Sequence, residues 1–498
     1  MMESTNIKPF NFVILGGGTA GWMCAIYLQD KWKDKNISIT LVESPDIGIV
    51  GVGEGSTPSL KNFFDDVGIE ESEWMKECNA TYKVGIRFDG WSAVQGCESY
   101  RHPFPNQLDG YSSQGFTQYC HLRRSSYKVN AHPDQFFLQS YLAEINRSPL
   151  PATSFPFTSY YGYHFDSGLL GKFLSIKATK RGVEHLQKKV VDVKQDQQGN
   201  IQALMFENGG SIDGDLFIDC SGFVGYLIQK TLKVSFRSYK DNLFNDSAVV
   251  MPTDAANPLR TETISTTLKN GWAWDIPLTN RTGNGYVYSS QYCSDDEAET
   301  ELREKLGLLD SEVEARRLKM KVGRVENHWV KNCLAIGLSQ GFIEPLEATA
   351  LHIVQVTILE FMLNFEEGGF TDKNRDKYNK VVNGRFEGVH DYIVAHYRLN
   401  SRNDTEYWKD NAQNQKLSPS LIQLLNAWSG GIKNDLDVEI IQQNIGQYFP
   451  LVSWQILFSG YGFFPNGKLK PVEQHDQLFD IVKHQNFLER CALNYKAQ

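Results

Sequence analysis

The sequence predicts a mixed α/β (α+β) fold: a Rossmann-like dinucleotide-binding module with a β-sheet insertion, followed by a mainly helical module. Three observations carry that expectation. Residues 10–43 read strand, glycine turn, helix, strand. Residues 236–295 are β-rich between turns. From residue 373 onward helix formers dominate and strand signals are few.

The opening unit justifies the first element. Phe12–Leu15 is a short apolar run, Gly16–Gly21 a turn, Trp22–Lys31 has helical spacing and Ile37–Val42 is again strand-like. A βαβ unit of about 30 residues is the setting of a dinucleotide site. Gly16-Gly17-Gly18-Thr19-Ala20-Gly21 fits G-x-G-x-x-G. Gly16 makes the tight turn, Gly18 lets backbone approach a pyrophosphate, and Gly21 permits close helix–strand packing. The helix start then offers free N–H groups to phosphate. Glu43 closes the second strand, where a carboxylate binds ribose hydroxyls. The plain alternative is an ordinary glycine-rich turn, which needs neither the acid nor both flanking elements.

Further along, residues 182–222 alternate short apolar runs with turns at 198–200 and 208–210, and read as antiparallel strands ending in Leu216–Ile218. The β-rich insertion has turns at Asn270-Gly271 and at 280–285. Pro345 to Phe365 turns helical. A boundary near Gly368-Gly369 divides a module of residues 1–368 from a helical, substrate-side module of residues 369–498.

Composition narrows the function. Fifty Lys and Arg stand against 59 Asp and Glu, a formal charge of -9, with no basic cluster, so a nucleic-acid partner is not expected. No apolar run approaches the ~20 residues of a membrane helix. The polar start lacks a signal-peptide pattern. Eight scattered cysteines form no C-x-x-C pair, so neither zinc nor a disulfide framework is expected and a reducing cytoplasm fits best.

The first turn alone leaves NAD and FAD open. Two later strand-to-turn segments, Phe217–Phe223 and Leu334–Gly341, favour FAD, since flavoproteins of the glutathione-reductase and hydroxylase type carry small-residue turns beside the flavin. A rarer segment is Gly271-Trp272-Ala273-Trp274-Asp275-Ile276-Pro277. Its two tryptophans share one face of a strand. With the FAD signature it resembles the G-W-x-W-x-I-P motif of flavin-dependent halogenases of the tryptophan halogenase family. In that family the tryptophans keep substrate away from the flavin; the plain reading is an aromatic core stripe.

The resemblance covers most of the chain and is weakest in its last quarter. Val50–Pro58 looks like the family's glycine-rich strap over the flavin. Ala80-Thr81-Tyr82-Lys83 looks like the segment bearing its active-site lysine. By pattern alone, Tyr82, Val84, Ile86 and Phe88 alternate with Lys83, Gly85 and Arg87, which puts Lys83 on a solvated face. Phe342–Ala350 resembles the halide and glutamate segment, with Glu347 as the active-site acid and Thr349 and Ala350 supplying N–H groups to halide. Ala348 and Ala350 depart from the commoner Ser-Thr-Gly ending. His102-Pro103-Phe104 resembles a substrate-pocket element.

Cofactor contacts implied by the resemblance are Gly16, Gly18, Thr19, Ala20, Gly21, Glu43, Ser44, Ile49, Gly51, Glu54, Val190, Leu338 and Leu351. The implied chemistry is oxidation of chloride, bromide or iodide by oxygen and FADH2 to hypohalous acid, which reaches Lys83 and halogenates an electron-rich arene. No reductase module is visible, so a separate flavin reductase is implied as partner, with a small aromatic substrate. An FAD monooxygenase and a non-catalytic flavin-binding protein remain the rivals; neither needs the paired tryptophans or Lys83.

Overall fold

The structure, a computed structural model, describes residues 8–46, 48, 53–430, 448–472 and 478–497. Its organising layer is a six-stranded sheet. The strands run, edge to edge, Trp329–Val330, Cys333–Ala335, Leu216–Asp219, Phe10–Leu15, Ile37–Glu43 and Glu184–Gln187. All neighbours are parallel except the first pair. Helix α1 (Thr19–Lys31) crosses between the strands Phe10–Leu15 and Ile37–Glu43 and is buried from Gly21 through Leu28. That helix is apolar nearly all round, as burial against sheet and neighbouring helices requires.

The segment 182–222 differs from the expected antiparallel set. Only residues 190–213 form an antiparallel ribbon, while Glu184–Gln187 and Leu216–Asp219 join the parallel sheet. A short apolar run reports burial and not strand direction, which the crossover connections decide.

The insertion is a seven-stranded sheet in the order Arg316–Lys319, Ser247–Thr253, Thr282–Tyr288, Gly271–Pro277, Glu262–Leu268, Gly85–Asp89 and Ser99–Pro103. The first turn lies one residue earlier than expected, at Lys269-Asn270, and Gly271 opens a strand paired with Leu268. The second turn is shorter than the sequence suggests: it closes between Leu278 and Arg281, and Gly283 and Gly285 lie inside a strand. Those two glycines serve close approach. Gly283 packs on Gly53, and a Cβ on Gly285 would overlap the Trp274 indole.

A three-stranded sheet of Gly53–Gly55, Gly162–Asp166 and Thr81–Lys83 sits beside this layer. The run from Tyr82 to Phe88 is therefore two strands in two sheets, broken at Val84, whose N–H bonds Thr261 O at 2.7 Å. The break spoils the alternation: Tyr82 is half-buried and Lys83 is 0 % exposed.

The helical region expected from Pro345 is likewise divided. Pro345–Glu347 is a single 3-10 turn, Ala348 has φ 55°, and α3 (Ala350–Glu367) starts afterwards. The chain then runs through α4 (Arg375–Leu399) and α5 (Leu451–Gly460). Helix α2 (Asp109–Arg124) packs against α5 from the other side. One core cluster runs from Phe12 to Tyr461 and takes residues from both sides of Gly368.

Candidate active site

The glycine turn sits where the parallel strands end. Gly16 has φ 118°, and a Cβ there would overlap Cys220 O; one on Gly21 would overlap Gly16 O. Both positions need a hydrogen for packing. Gly18 is different: a Cβ there meets no atom within 4 Å among the described residues. Its missing side chain leaves space in front of the α1 N-terminus, which carries no side-chain cap. This cradle suits a pyrophosphate.

Glu43 lies at the end of its strand and accepts from His185 Nε2 at 2.6 Å. The turn Gly337–Ser339, which holds Leu338, abuts Ala20. Thr19 Oγ1 donates to Ser167 O at 3.3 Å. Glu54 pairs with Phe165 on the neighbouring strand, and burial pushes its carboxyl up to about 7, Ser167 opposing and Asp166 adding to the rise. Val190 begins the antiparallel ribbon two residues beyond Lys188, whose N–H bonds Glu43 O. Leu351 is in the first turn of α3 and packs on the core. Ser44 Oγ accepts from the Asp46 N–H at 3.3 Å. Ile49 and Gly51 lie outside the described residues. The residues present thus fit an FAD, with backbone for the phosphates and an acid at the ribose position.

A second group gathers around Lys83. Its Nζ is buried without a hydrogen-bond partner among the described residues and lies 5.4 Å from the centroid of the Phe104 ring. A Cβ on Gly55 would come within 3.0 Å of that nitrogen, so the strand Gly53–Gly55 lies against it. Burial lowers the Lys83 amine to about 7, and the Glu347 charge opposes the fall. Thr81, two residues earlier, donates to Pro277 O at 2.6 Å, which ties this strand to the end of the tryptophan-bearing one.

Glu347 is held between two imidazoles. One carboxylate oxygen is 2.9 Å from His102 Nδ1, the other 2.9 Å from His396 Nε2. Ser453 Oγ stands 2.9 Å from His102 Nε2 and Tyr461 OH 3.2 Å from His396 Nδ1. Each ring can donate to Glu347 through the facing nitrogen, with its second nitrogen against the hydroxyl behind it. Burial alone would raise the Glu347 carboxyl; the two histidines outweigh it and hold the group down to about 2.

Thr349 follows the left-handed Ala348. Its hydroxyl is buried with no partner among the described residues, although the residue occupies the cap position of α3. The first N–H groups of α3 lack intrahelical acceptors by position. An unused hydroxyl beside such donors suits a small anion. The helix begins at Ala350 and not at Pro345, so its free donors start with the N–H groups of the cap residue Thr349 and of Ala350.

Trp272 and Trp274 are both buried, with ring centroids 6.2 Å apart. Trp272 Nε1 donates to Glu344 Oε2 at 3.0 Å, and that oxygen also accepts from Tyr397 OH and Asn245 Nδ2. His102, Phe104, Glu347 and Thr349 share a cavity of about 350 Å³ that Arg385 and Phe449 also line. Neither Lys83 nor the two tryptophans line it; Lys83 is in contact with it through Phe104.

The family model for tryptophan halogenase matches residues 11–477. The chain belongs to the tryptophan halogenase family. The halogenase is 39% identical over 447 residues to tryptophan 6-halogenase SttH of Streptomyces toxytricini, with 84% of each chain covered. It is 34% identical over 520 residues to tryptophan 7-halogenase RebH of Lentzea aerocolonigenes, with 97% of each covered. Among solved structures it resembles Xcc4156, a flavin-dependent halogenase from Xanthomonas campestris, with TM-score 0.81, 32% identity, and coverage of 97% and 94%. The halogenase is thus an oxidoreductase that uses FAD as FADH2 and a halide ion. Among its described residues no helix is long and apolar enough to cross a membrane.

Sequence reasoning missed His396, Ser453, Tyr461 and Arg385. His396 sits on α4, 49 residues from Glu347, in a helix where it reads as one more buried position. Nothing in the local pattern sets it apart.

Proposed function

We propose that this halogenase puts a halogen on a tryptophan-like, electron-rich indole, using Lys83 to deliver the oxidised halogen. The observation that carries this reading is a buried amine with no partner among the described residues, set behind Phe104 at the edge of a cavity lined by Glu347 and Thr349. An amine placed so costs stability, and a group kept at such a cost is a functional candidate.

FAD, held by Gly16, Gly18, Thr19, Ala20 and Glu43, supplies as FADH2 the electrons with which oxygen converts halide to hypohalous acid. A separate flavin reductase supplies the reduced cofactor. The remaining work belongs to side chains. Thr349 and the N–H groups at Thr349 and Ala350 hold the halide. Hypohalous acid reaches Lys83, which either donates a hydrogen bond to its oxygen or, as the free amine, forms an N–halogen bond with loss of water. The halogen then passes to a ring carbon, and that carbon loses its proton. Glu347 stays ionised at neutral pH and stabilises the cationic ring on the way. Trp272 and Trp274, pinned by Glu344 and Gly285, separate the flavin side from the arene side.

Incubation with a flavin reductase, NADH, FAD, bromide and tryptophan or an indole panel tests the reading, with product masses read for the bromine isotope pair. Lys83→Ala is expected to lose at least 10²-fold in halogenation, the scale of a removed catalytic group, while FAD binding survives. A product heavier by one oxygen and free of bromine would overturn the halogenase reading. Near-normal turnover by the variant would overturn the role of Lys83.

A further inference from the structure

The buried amine of Lys83 shares its surroundings with a hydroxyl. A Cβ on Gly55 would lie 3.0 Å from Lys83 Nζ and 3.3 Å from Thr263 Oγ1. The two atoms flank one point, yet no hydrogen bond joins them, and Nζ has no partner among the described residues. One small molecule spans a gap of that size with two hydrogen bonds of about 2.8 Å each. Thr263 stands on the strand Glu262–Leu268, where Ser265 lies opposite Trp274 and Thr267 opposite Trp272. Alternate residues of a strand share a face, and so do residues directly opposed across an antiparallel pair. Thr263 therefore belongs to the face that carries the tryptophan pair.

The direction of the Thr263 hydroxyl follows from its partners. Thr81 Oγ1 donates to Pro277 O at 2.6 Å, which uses its one hydrogen. His164 Nδ1, 3.1 Å from the same oxygen, is then the donor of that contact. His164 is fully buried, and burial, with the charges of Lys83 and Arg260, holds its ring well below the usual imidazole range. A neutral ring with its hydrogen on Nδ1 has a lone pair on Nε2. Thr263 Oγ1, 2.9 Å from Nε2, donates to it. The hydrogen of Thr263 is thus committed to His164, and only lone pairs remain for other contacts. An ammonium offers only donors. Lys83 and Thr263 therefore form a matched pair for a molecule whose oxygen accepts and whose O–H donates, and hypohalous acid is such a molecule.

We infer that Thr263 is a further catalytic residue, which accepts the O–H of hypohalous acid while the Lys83 ammonium donates to the same oxygen. This rests on the proposed role of Lys83. With its oxygen held from both sides, the oxidant presents its halogen as the unbound end. When the halogen passes to the ring carbon, the oxygen–halogen bond breaks and its electron pair stays on oxygen. That oxygen takes a proton from Lys83 and leaves as water, and the proton lost by the ring carbon restores the ammonium.

Bromination of tryptophan with FAD, a flavin reductase and NADH, run in the presence of a soluble 1,3-diketone that traps free hypobromous acid, tests this. Thr263→Val keeps the shape of the side chain and removes the hydroxyl; Thr263→Ser keeps the hydroxyl and removes a methyl. The Val variant is expected to lose arene bromination roughly 10-fold or more, the scale of a lost charged hydrogen bond, while bromination of the trap rises. The Ser variant is expected to recover most of the lost rate. A purely structural role predicts the reverse order, since Val preserves packing and Ser leaves a cavity. Near wild-type turnover by the Val variant, a Ser variant as impaired as Val, or arene and trap products falling together would overturn the assignment. A failed role for Lys83 looks different, because Lys83→Ala would then keep its turnover. A failed halogenase reading would leave both arene and trap free of bromine with the wild-type protein.

Discussion

Lys83 shows how one residue combines cost with use. Its ammonium is buried beside Phe104 and Gly55, with Glu347 as distant compensation. The folded amine titrates at about 7 against roughly 10.4 for a free lysine. Below pH 7 both folded and unfolded chains hold the proton, and the full burial penalty applies. Between the two values the unfolded chain binds more protons, so stability rises with pH. Lys83→Met is therefore expected to be more stable than wild type at pH 6, by on the order of 4 kcal/mol at most, with the gap closing toward pH 10. Denaturant midpoints at the two pH values check this; a gap independent of pH would mean the amine is not buried as charged. Gly18 gives a second prediction at this scale. The space before it is open, so Gly18→Val should fold normally yet lose FAD affinity at least 10-fold in a fluorescence titration, because branched carbons would enter the phosphate cradle. Unchanged affinity would remove the turn from the cofactor site. The acid, the glycines and the lysine were all legible in the chain as motif members. The burial of Lys83 was not, since a strand break at Val84 reverses the face that simple alternation assigns.

Helix α4 is the element that assembles the arene side. It carries His396 to Glu347 and Tyr397 to Glu344, and Arg385 lines the cavity that holds Glu347. Gly384 and Gly388, one turn apart, make a slot for the Tyr448 ring; a Cβ on Gly388 would overlap it. The neighbouring Phe449 stacks on Tyr392 with centroids 3.6 Å apart. Overpacking of this kind costs about 1–3 kcal/mol. Gly388→Ala is expected to displace Tyr448, raise the KM for the aromatic substrate several-fold and leave FAD affinity unchanged. Equal loss of both would point to general unfolding and count against the slot. The helix itself was expected from composition. Its two site residues, His396 and Arg385, were not, because a histidine or arginine at helical spacing looks the same whether it faces a core, a cavity or solvent.

At the scale of the molecule, the proposed division near Gly368 meets a core that crosses it. Asn379 on α4 bonds the backbone of His328 and Trp329 in the parallel-sheet region, and α3 packs along both α1 and α4. We expect the chain cut after Gly368 to be insoluble, or to give no cooperative thermal transition and no FAD binding; a soluble, FAD-binding fragment would establish an independent first module. The free energy of such large apolar faces makes separation unfavourable.

The sequence by itself determined the dinucleotide turn, the tryptophan pair, the segment bearing Glu347 and the family, because these are contiguous runs in which each residue type is demanded by local backbone or by chemistry. Tertiary structure alone decided which strands are parallel, that Lys83 is enclosed, and that Glu347 is clamped by His102 and His396. Those facts depend on contacts between residues up to hundreds of positions apart. Hydrophobic burial, which is non-directional, selects that a residue is inside without specifying its partner.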